Sequence, residues 1–133
     1  EKMDSLLGYL ISELKELVIF SDLNLFILSD HGMTNVSEER LLILDEYISN
    51  LDNLYVRGRG AFVQFDFIEN SKVHKKHLVE ELKSIPFSRY WKKSNIPERF
   101  HFNNNNAGEF LLLADEGWFI TTKSKLSKCF HVL

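Results

Sequence analysis

The sequence predicts an α/β fold: a sheet with flanking helices plus a small α/β layer. Three observations carry that expectation. A helical apolar stripe runs directly into a short unalternating apolar run, which together make half of a βαβ unit; a second helical stripe follows two strand-like runs; and further strand-length runs lie towards the end. At 133 residues, 44% hydrophobic and 26% charged, the chain has the composition of one globular unit and is long enough to bury a core. No internal repeat or linker divides it.

The first helix is expected over residues 3–19. Leu6, Leu7, Leu10, Ile11, Leu14, Leu17 and Val18 share one stripe, with Asp4, Ser12, Glu13, Lys15 and Glu16 off it. Ser21 and Asp22 break it as turn formers. The run Asn24-Leu25-Phe26-Ile27-Leu28 then reads as a strand buried on both faces, because it is apolar without alternation and ends in polar residues and a glycine.

Residues 34–39 are polar, and Ser37-Glu38-Glu39-Arg40 either starts a helical turn or crosses the surface. Residues 41–44 are apolar without clear alternation, 45–48 read as a short turn or helix end, and 50–53 as loop. Strands are expected over 54–57 and 61–67, around a Gly58-Arg59-Gly60 segment too glycine-rich to be regular. Phe62, Val63, Phe65 and Phe67 mark burial there. A second helix is expected over 71–84, with Val73, His77, Leu78 and Leu82 inward and Pro86 ending it. Residues 89–93 are basic and aromatic, Ile96-Pro97 turns the chain, and 103–106 form a turn-rich loop before a strand at 110–114. Asp115-Glu116-Gly117 fits a tight hairpin turn into Trp118-Phe119-Ile120-Thr121, and 123–133 read as a poorly specified tail.

The formal charge of −3, with no run of Lys or Arg on one face, gives no electrostatic case for a nucleic-acid or membrane-surface partner. A nucleotide would have to be held by metal and pocket. No apolar run approaches the roughly 20 residues a membrane span needs, and Glu1-Lys2-Met3-Asp4 is not a signal-peptide start. Cys129 is the single cysteine, which excludes an internal disulfide and leaves the redox compartment undecided. Asn35-Val36-Ser37 is a sequon that permits N-glycosylation if the protein is secreted.

The stretch richest in chemistry is Ser29-Asp30-His31-Gly32-Met33, at the end of the first strand-like run. In open α/β sheets, sites are built beyond the carboxyl ends of strands. Asp30 offers a hard anionic oxygen and neutral His31 a nitrogen, a mixture that suits zinc. Consecutive residues of an extended chain point to opposite faces, so the backbone must curl for both to meet one ion, with Gly32 supplying the freedom. From the residues alone, a turn with a surface histidine competes, since zinc takes three or four ligands and two are visible.

Other candidates read as structural. His74 and His77 share a helix flank without a carboxylate cluster at ligand spacing. His101 and His131, Thr34 as a nucleophile, and Arg59 and Arg99 as phosphate contacts all have plainer readings as loop or surface residues. Tyr90, Trp91, Trp118 and Phe119 read as core or interface.

The string Asn24-Leu25-Phe26-Ile27-Leu28-Ser29-Asp30-His31-Gly32-Met33-Thr34, followed by Arg40-Leu41-Leu42-Ile43-Leu44-Asp45-Glu46-Tyr47-Ile48, resembles the ectonucleotide pyrophosphatase/phosphodiesterase family of the alkaline phosphatase superfamily. Ile96-Pro97-Glu98-Arg99-Phe100-His101-Phe102 and Leu111-Leu112-Leu113-Ala114-Asp115-Glu116-Gly117-Trp118 look like two further family segments in the family's order. Ethanolamine-phosphate transferases of the same superfamily share Asp-His-Gly-Met, but their loop tends to continue with glycine and histidine, unlike Thr34-Asn35-Val36-Ser37.

The resemblance implies a partial alkaline phosphatase-like sheet and a type I phosphodiesterase that cleaves phosphodiester or pyrophosphate bonds with two zinc ions, in an extracellular or membrane-anchored protein. Asp30 and His31 align with the pair that binds the nucleophile's metal. The family's nucleophile and remaining ligands have no counterpart here, which implies a catalytic domain incomplete at both ends, holding at most half a metal site and inactive alone. An inactive binding or structural module is the alternative. Ala107 stands where the family carries an arginine-like residue.

Overall fold

A computed structural model describes residues 2–68, 72–102 and 104–129. The chain forms two compact units, Glu1–Met33 and Thr34–Leu133.

The first unit is built on α1 (Lys2–Lys15), with Asp4 in its first turn and Lys15 in its last, each placed to oppose the helix dipole. Leu7, Ile11 and Leu14 are half-buried at the expected spacing, and the rest of the stripe is exposed. The helix stops short of residue 19. It gives way to tighter bonds, Glu16 N–H to Glu13 O at 3.3 Å and Leu17 N–H to Leu14 O at 3.1 Å, and then to a 3₁₀ turn at Phe20–Asp22. Val18, Ile19 and Phe20 are β-branched or aromatic and lose side-chain freedom in a helix, which favours ending it there.

Residues 24–28 do not form the expected buried strand. They lie outside any ladder, with Phe26 83% and Leu28 90% exposed. A run of this composition becomes a strand only when neighbouring backbone takes up its N–H and C=O groups, and no described strand pairs with it.

The second unit holds the core. Its strands are β1 (Leu41–Ile43), β2 (Leu54–Gly58), β3 (Phe62–Phe67), β4 (Ser88–Lys92), β5 (Phe110–Ala114) and β6 (Phe119–Thr121). Helix α2 (Lys72–Ser84) follows β3, and α3 (Lys123–Cys129) follows β6. An antiparallel sheet has the order β2-β3-β5-β4, and β1 and β6 form a separate parallel pair. Val63 lies opposite Leu112 and Phe65 opposite Phe110. On alternate positions these residues bury one sheet face, together with Leu78 and Leu82 from α2 and with Leu42, Leu44 and Ile120. Gly58 and Gly60 take φ of +91° and +92°, so the irregular link between β2 and β3 is made by glycine as expected. Gly60 also exchanges two 2.8 Å backbone bonds with Ile120, tying that link to β6.

Three expectations are corrected here. His77 does not face inward; its side chain is 58% exposed, while Leu78 and Leu82 carry the inner face of α2. The turn at 115–117 forms, with Trp118 N–H bonded to Asp115 O at 3.1 Å, but it makes no β5–β6 hairpin. Strand β5 already has β3 on one edge and β4 on the other, so β6 has no free edge to join and pairs with β1 instead. Residues 123–129 are helical, and Asp45 Oδ2 accepts the Lys123 N–H at 2.8 Å. Residues 130–133 lie outside the described residues.

Candidate metal centre

Asp30 and His31 lie side by side in an exposed loop. Asp30 Oδ2 stands 3.5 Å from His31 Nε2, with Asp30 89% and His31 69% exposed. The curl is made locally. Asp30 Oδ1 accepts the His31 N–H at 3.1 Å, and the Ser29 hydroxyl donates to the His31 carbonyl at 2.7 Å. Gly32 is not among the residues with positive φ, and a Cβ there would meet nothing within 4 Å. The short polar side chains, rather than a glycine conformation, shape this loop. Ser29 escaped the sequence reading, although a serine two residues before the bonded carbonyl is the signal that could have found it.

His31 Nδ1 lies 2.8 Å from the Gly32 carbonyl oxygen. A carbonyl only accepts, so Nδ1 carries a proton, and in the neutral ring Nε2 presents a lone pair. In that form Nε2 and the carboxylate oxygen Oδ2 are two donors to a metal, and with Nε2 protonated they are an ion pair. A tetrahedral ion with bonds of about 2.0–2.2 Å places its ligand atoms about 3.3–3.6 Å apart. The separation observed fits that edge, so the donor set suits one metal ion bound through Nε2 and Oδ2. Among the described residues no three His, Cys, Asp or Glu side chains gather at metal-binding distance.

His77 and His101 take structural or surface positions. His77 joins Glu81 at 3.1 Å and Ser49 Oγ at 3.2 Å, while Glu81 Oε1 accepts both the Ser49 hydroxyl at 2.6 Å and its N–H at 2.9 Å. The cluster ties the 44–53 segment to α2, and its serine donates to the carboxylate rather than to the imidazole. His101 takes φ +48° and ends the Glu98–Phe100 turn. Of His74 only the backbone is described, and His131 lies outside the described residues. Thr34 is exposed. The Arg99 guanidinium sits 5.0 Å from the Phe100 ring centre. Trp91 meets Phe100 edge-on at 5.5 Å, Trp118 stacks on Phe87 at 4.0 Å, and Tyr90 packs against the core, in keeping with their reading as packing residues.

A family model for type I phosphodiesterase / nucleotide pyrophosphatase matches residues 1–132. Human ectonucleotide pyrophosphatase/phosphodiesterase family member 5 is 35% identical over 89% of this chain and 24% of its own length. Human bis(5'-adenosyl)-triphosphatase ENPP4 is 33% identical over 96% of this chain and 28% of its own. A solved structure of murine ectonucleotide pyrophosphatase / phosphodiesterase 5, an inactive form in complex with AMP, superposes with a TM-score of 0.77 at 32% identity, over 92% of this chain and 33% of that one. The chain thus spans about a quarter of the length of these curated relatives. A match along nearly the whole sequence, with a shared fold at this identity, establishes that the chain belongs to the type I phosphodiesterase / nucleotide pyrophosphatase family.

Proposed function

We propose that this chain is part of the catalytic domain of a zinc-dependent phosphodiesterase or nucleotide pyrophosphatase, and that Asp30 and His31 are its contribution to the metal site. The observation that carries the reading is the Oδ2 to Nε2 separation of 3.5 Å with Nδ1 engaged by a carbonyl, which leaves Nε2 and Oδ2 as neighbouring donor atoms. Zinc held by Asp30 and His31 would supply positive charge to activate a hydroxyl nucleophile and to offset the negative charge developing around phosphorus. Asp30 holds one ligand oxygen while its other oxygen anchors the loop through the His31 N–H. His31 is kept in the ligating tautomer by the Gly32 carbonyl. Ser29 fixes the peptide between them.

A nucleotide-type substrate is supported by the AMP in the related murine structure and by the dinucleotide named in the other relative. An extracellular or membrane-anchored setting is part of this reading, and its extracellular side is supported by the prefix in the name of the ectonucleotide relative. No helix among the described residues is long and apolar enough to cross a membrane. With the relatives about four times longer, this chain alone is expected to bind zinc weakly and to turn nothing over.

Calorimetric titration of zinc into the chain and into D30A/H31A, run beside hydrolysis of a nitrophenyl nucleotide diester, tests both parts. Weak zinc uptake that disappears in the double variant, without turnover, is the expected result. Uptake unaffected by the double substitution sinks the ligand assignment. Turnover that depends on the pair would mean that the chain completes a site by itself, and the partial-domain reading would fall.

A further inference from the structure

We propose that Asn35 is a glycosylated asparagine, with Asn35-Val36-Ser37 as the acceptor sequon. It is the only Asn-x-Ser/Thr triplet in the sequence. Such triplets arise often by chance, and the surroundings of this one carry the inference. Asn35 is exposed, Val36 is 45% exposed, and residues 33–37 belong to no helix or strand. Arg40 holds this backbone from within the loop: its Nη2 donates to the Asn35 carbonyl at 3.0 Å and its Nε donates to the Ser37 hydroxyl oxygen at 3.3 Å. The Asn35 carbonyl also lies 3.4 Å from the position a Cβ would take at Gly117, so the main chain rests on the turn at 115–117. Those contacts engage the Asn35 backbone and the Ser37 oxygen. The Asn35 carboxamide itself makes no hydrogen bond among the described residues. Ser37 is extended, with φ −129° and ψ 160°, and half-buried beside Arg40, so the exposed acceptor amide lies on irregular backbone two residues before the hydroxyl that a transferase must read.

The modification is a group transfer. Asn35 Nδ2 attacks C1 of an oligosaccharide carried on a polyprenyl pyrophosphate. The N–C1 bond forms as the C1–O bond to pyrophosphate breaks, the polyprenyl pyrophosphate leaves with the electron pair, and the amide proton passes to a base of the transferase. The inference rests on the extracellular reading above.

The complete gene product, carrying a reporter sequon at its C-terminus, would be produced in a eukaryotic secretory host and mapped by peptide mass after enzymatic deglycosylation. Asn35 is expected to be converted to aspartate by the glycosidase. The matching mobility shift is expected to be lost in N35Q and S37A and kept in S37T. A modified reporter with an unmodified Asn35 overturns the proposal and leaves the extracellular reading standing. With both sites unmodified, the proposal and the extracellular reading fall together.

Discussion

A Cβ at position 117 would come within 2.5 Å of Arg40 Nη1, on a backbone with φ +80°. Arg40 cannot simply swing aside, because its other nitrogens are bonded to Asn35 and Ser37. Gly117→Ala is therefore expected to destabilise the chain by about 1–3 kcal/mol, read as a lower urea midpoint. Gly117→Asn should not restore it, since asparagine tolerates the left-handed region but meets Arg40 with the same Cβ. An unchanged midpoint in Gly117→Ala would show that the turn does not need this conformation. At Ser29 the expected effect is on binding. Ser29→Ala removes the hydroxyl that holds the His31 carbonyl, and if Asp30 and His31 ligate zinc, affinity should fall by about tenfold or more while the unfolding midpoint stays put. Equal affinity in both proteins would remove Ser29 from the positioning role. Both residues show how unevenly such detail is written in a sequence. The turn at Gly117 was legible from residue type and spacing; the meeting of Asp30 with His31 was posed by residue type, with a turn carrying a surface histidine in competition. The means of the second was not, because a serine-to-carbonyl bond depends on local backbone angles and Gly32 was the more conspicuous candidate.

Helix α2 displays a charge pair whose pH behaviour can be checked directly. Glu80 accepts from Lys83 Nζ at 2.8 Å. The hydrogen bond from Lys83, and then its charge, holds the Glu80 carboxyl below its ordinary value of 4.5, and the same contacts raise Lys83 above 10.5. The pair's contribution through Glu80 is complete above the ordinary carboxylate value and is lost as pH falls through the lowered one. Through Lys83 it is complete below the ordinary lysine value and is lost as pH rises through the raised one. NMR titration should find Glu80 titrating below an unpaired glutamate, and Lys83→Gln should return it to the ordinary range. A Glu80 indifferent to that substitution would mean that the pair does not persist in solution. On the outer face of the sheet, Asp66 joins β2 to the 104–109 loop, pairing with Arg57 while Oδ1 accepts the Glu109 N–H at 3.1 Å. Asp66→Asn keeps the shape and loses the charge, and should cost about 1–3 kcal/mol by urea unfolding, with faster amide exchange at Glu109. Retained protection at Glu109 would assign the loop's order to other contacts. Element by element, helices and central strands were readable because their periodicity is local: 110–114 emerged with the bounds expected, and α2 nearly so. The partner of β6 was not, since Leu42 lies opposite Ile120 across a long stretch of chain and the choice depends on which sheet edges are already filled.

For the molecule as a whole, the decisive fact is where burial lies. Every buried apolar side chain described, from Leu42 to Ile120, belongs to the unit Thr34–Leu133, and α1 buries none. The apolar run at 24–28 looked like core by composition, but burial is a property of what surrounds a segment, and composition cannot report that. The fragment 34–133 is therefore expected to keep cooperative urea unfolding with a midpoint close to that of the whole chain, because the core that resists denaturant is retained. In the same fragment zinc uptake should be absent, since Asp30 and His31 have gone with the first unit. Within the full chain, hydrogen exchange should find the amides of β3 and β5 protected and those of 24–28 open, because the former are paired on both edges and the latter have no ladder partner. Loss of cooperative unfolding in the fragment would show that residues 1–33 take part in holding the core. Protection at 24–28 to the level of β5 would show that the run is paired in solution after all, perpendicular evidence that does not depend on metal, substrate or turnover.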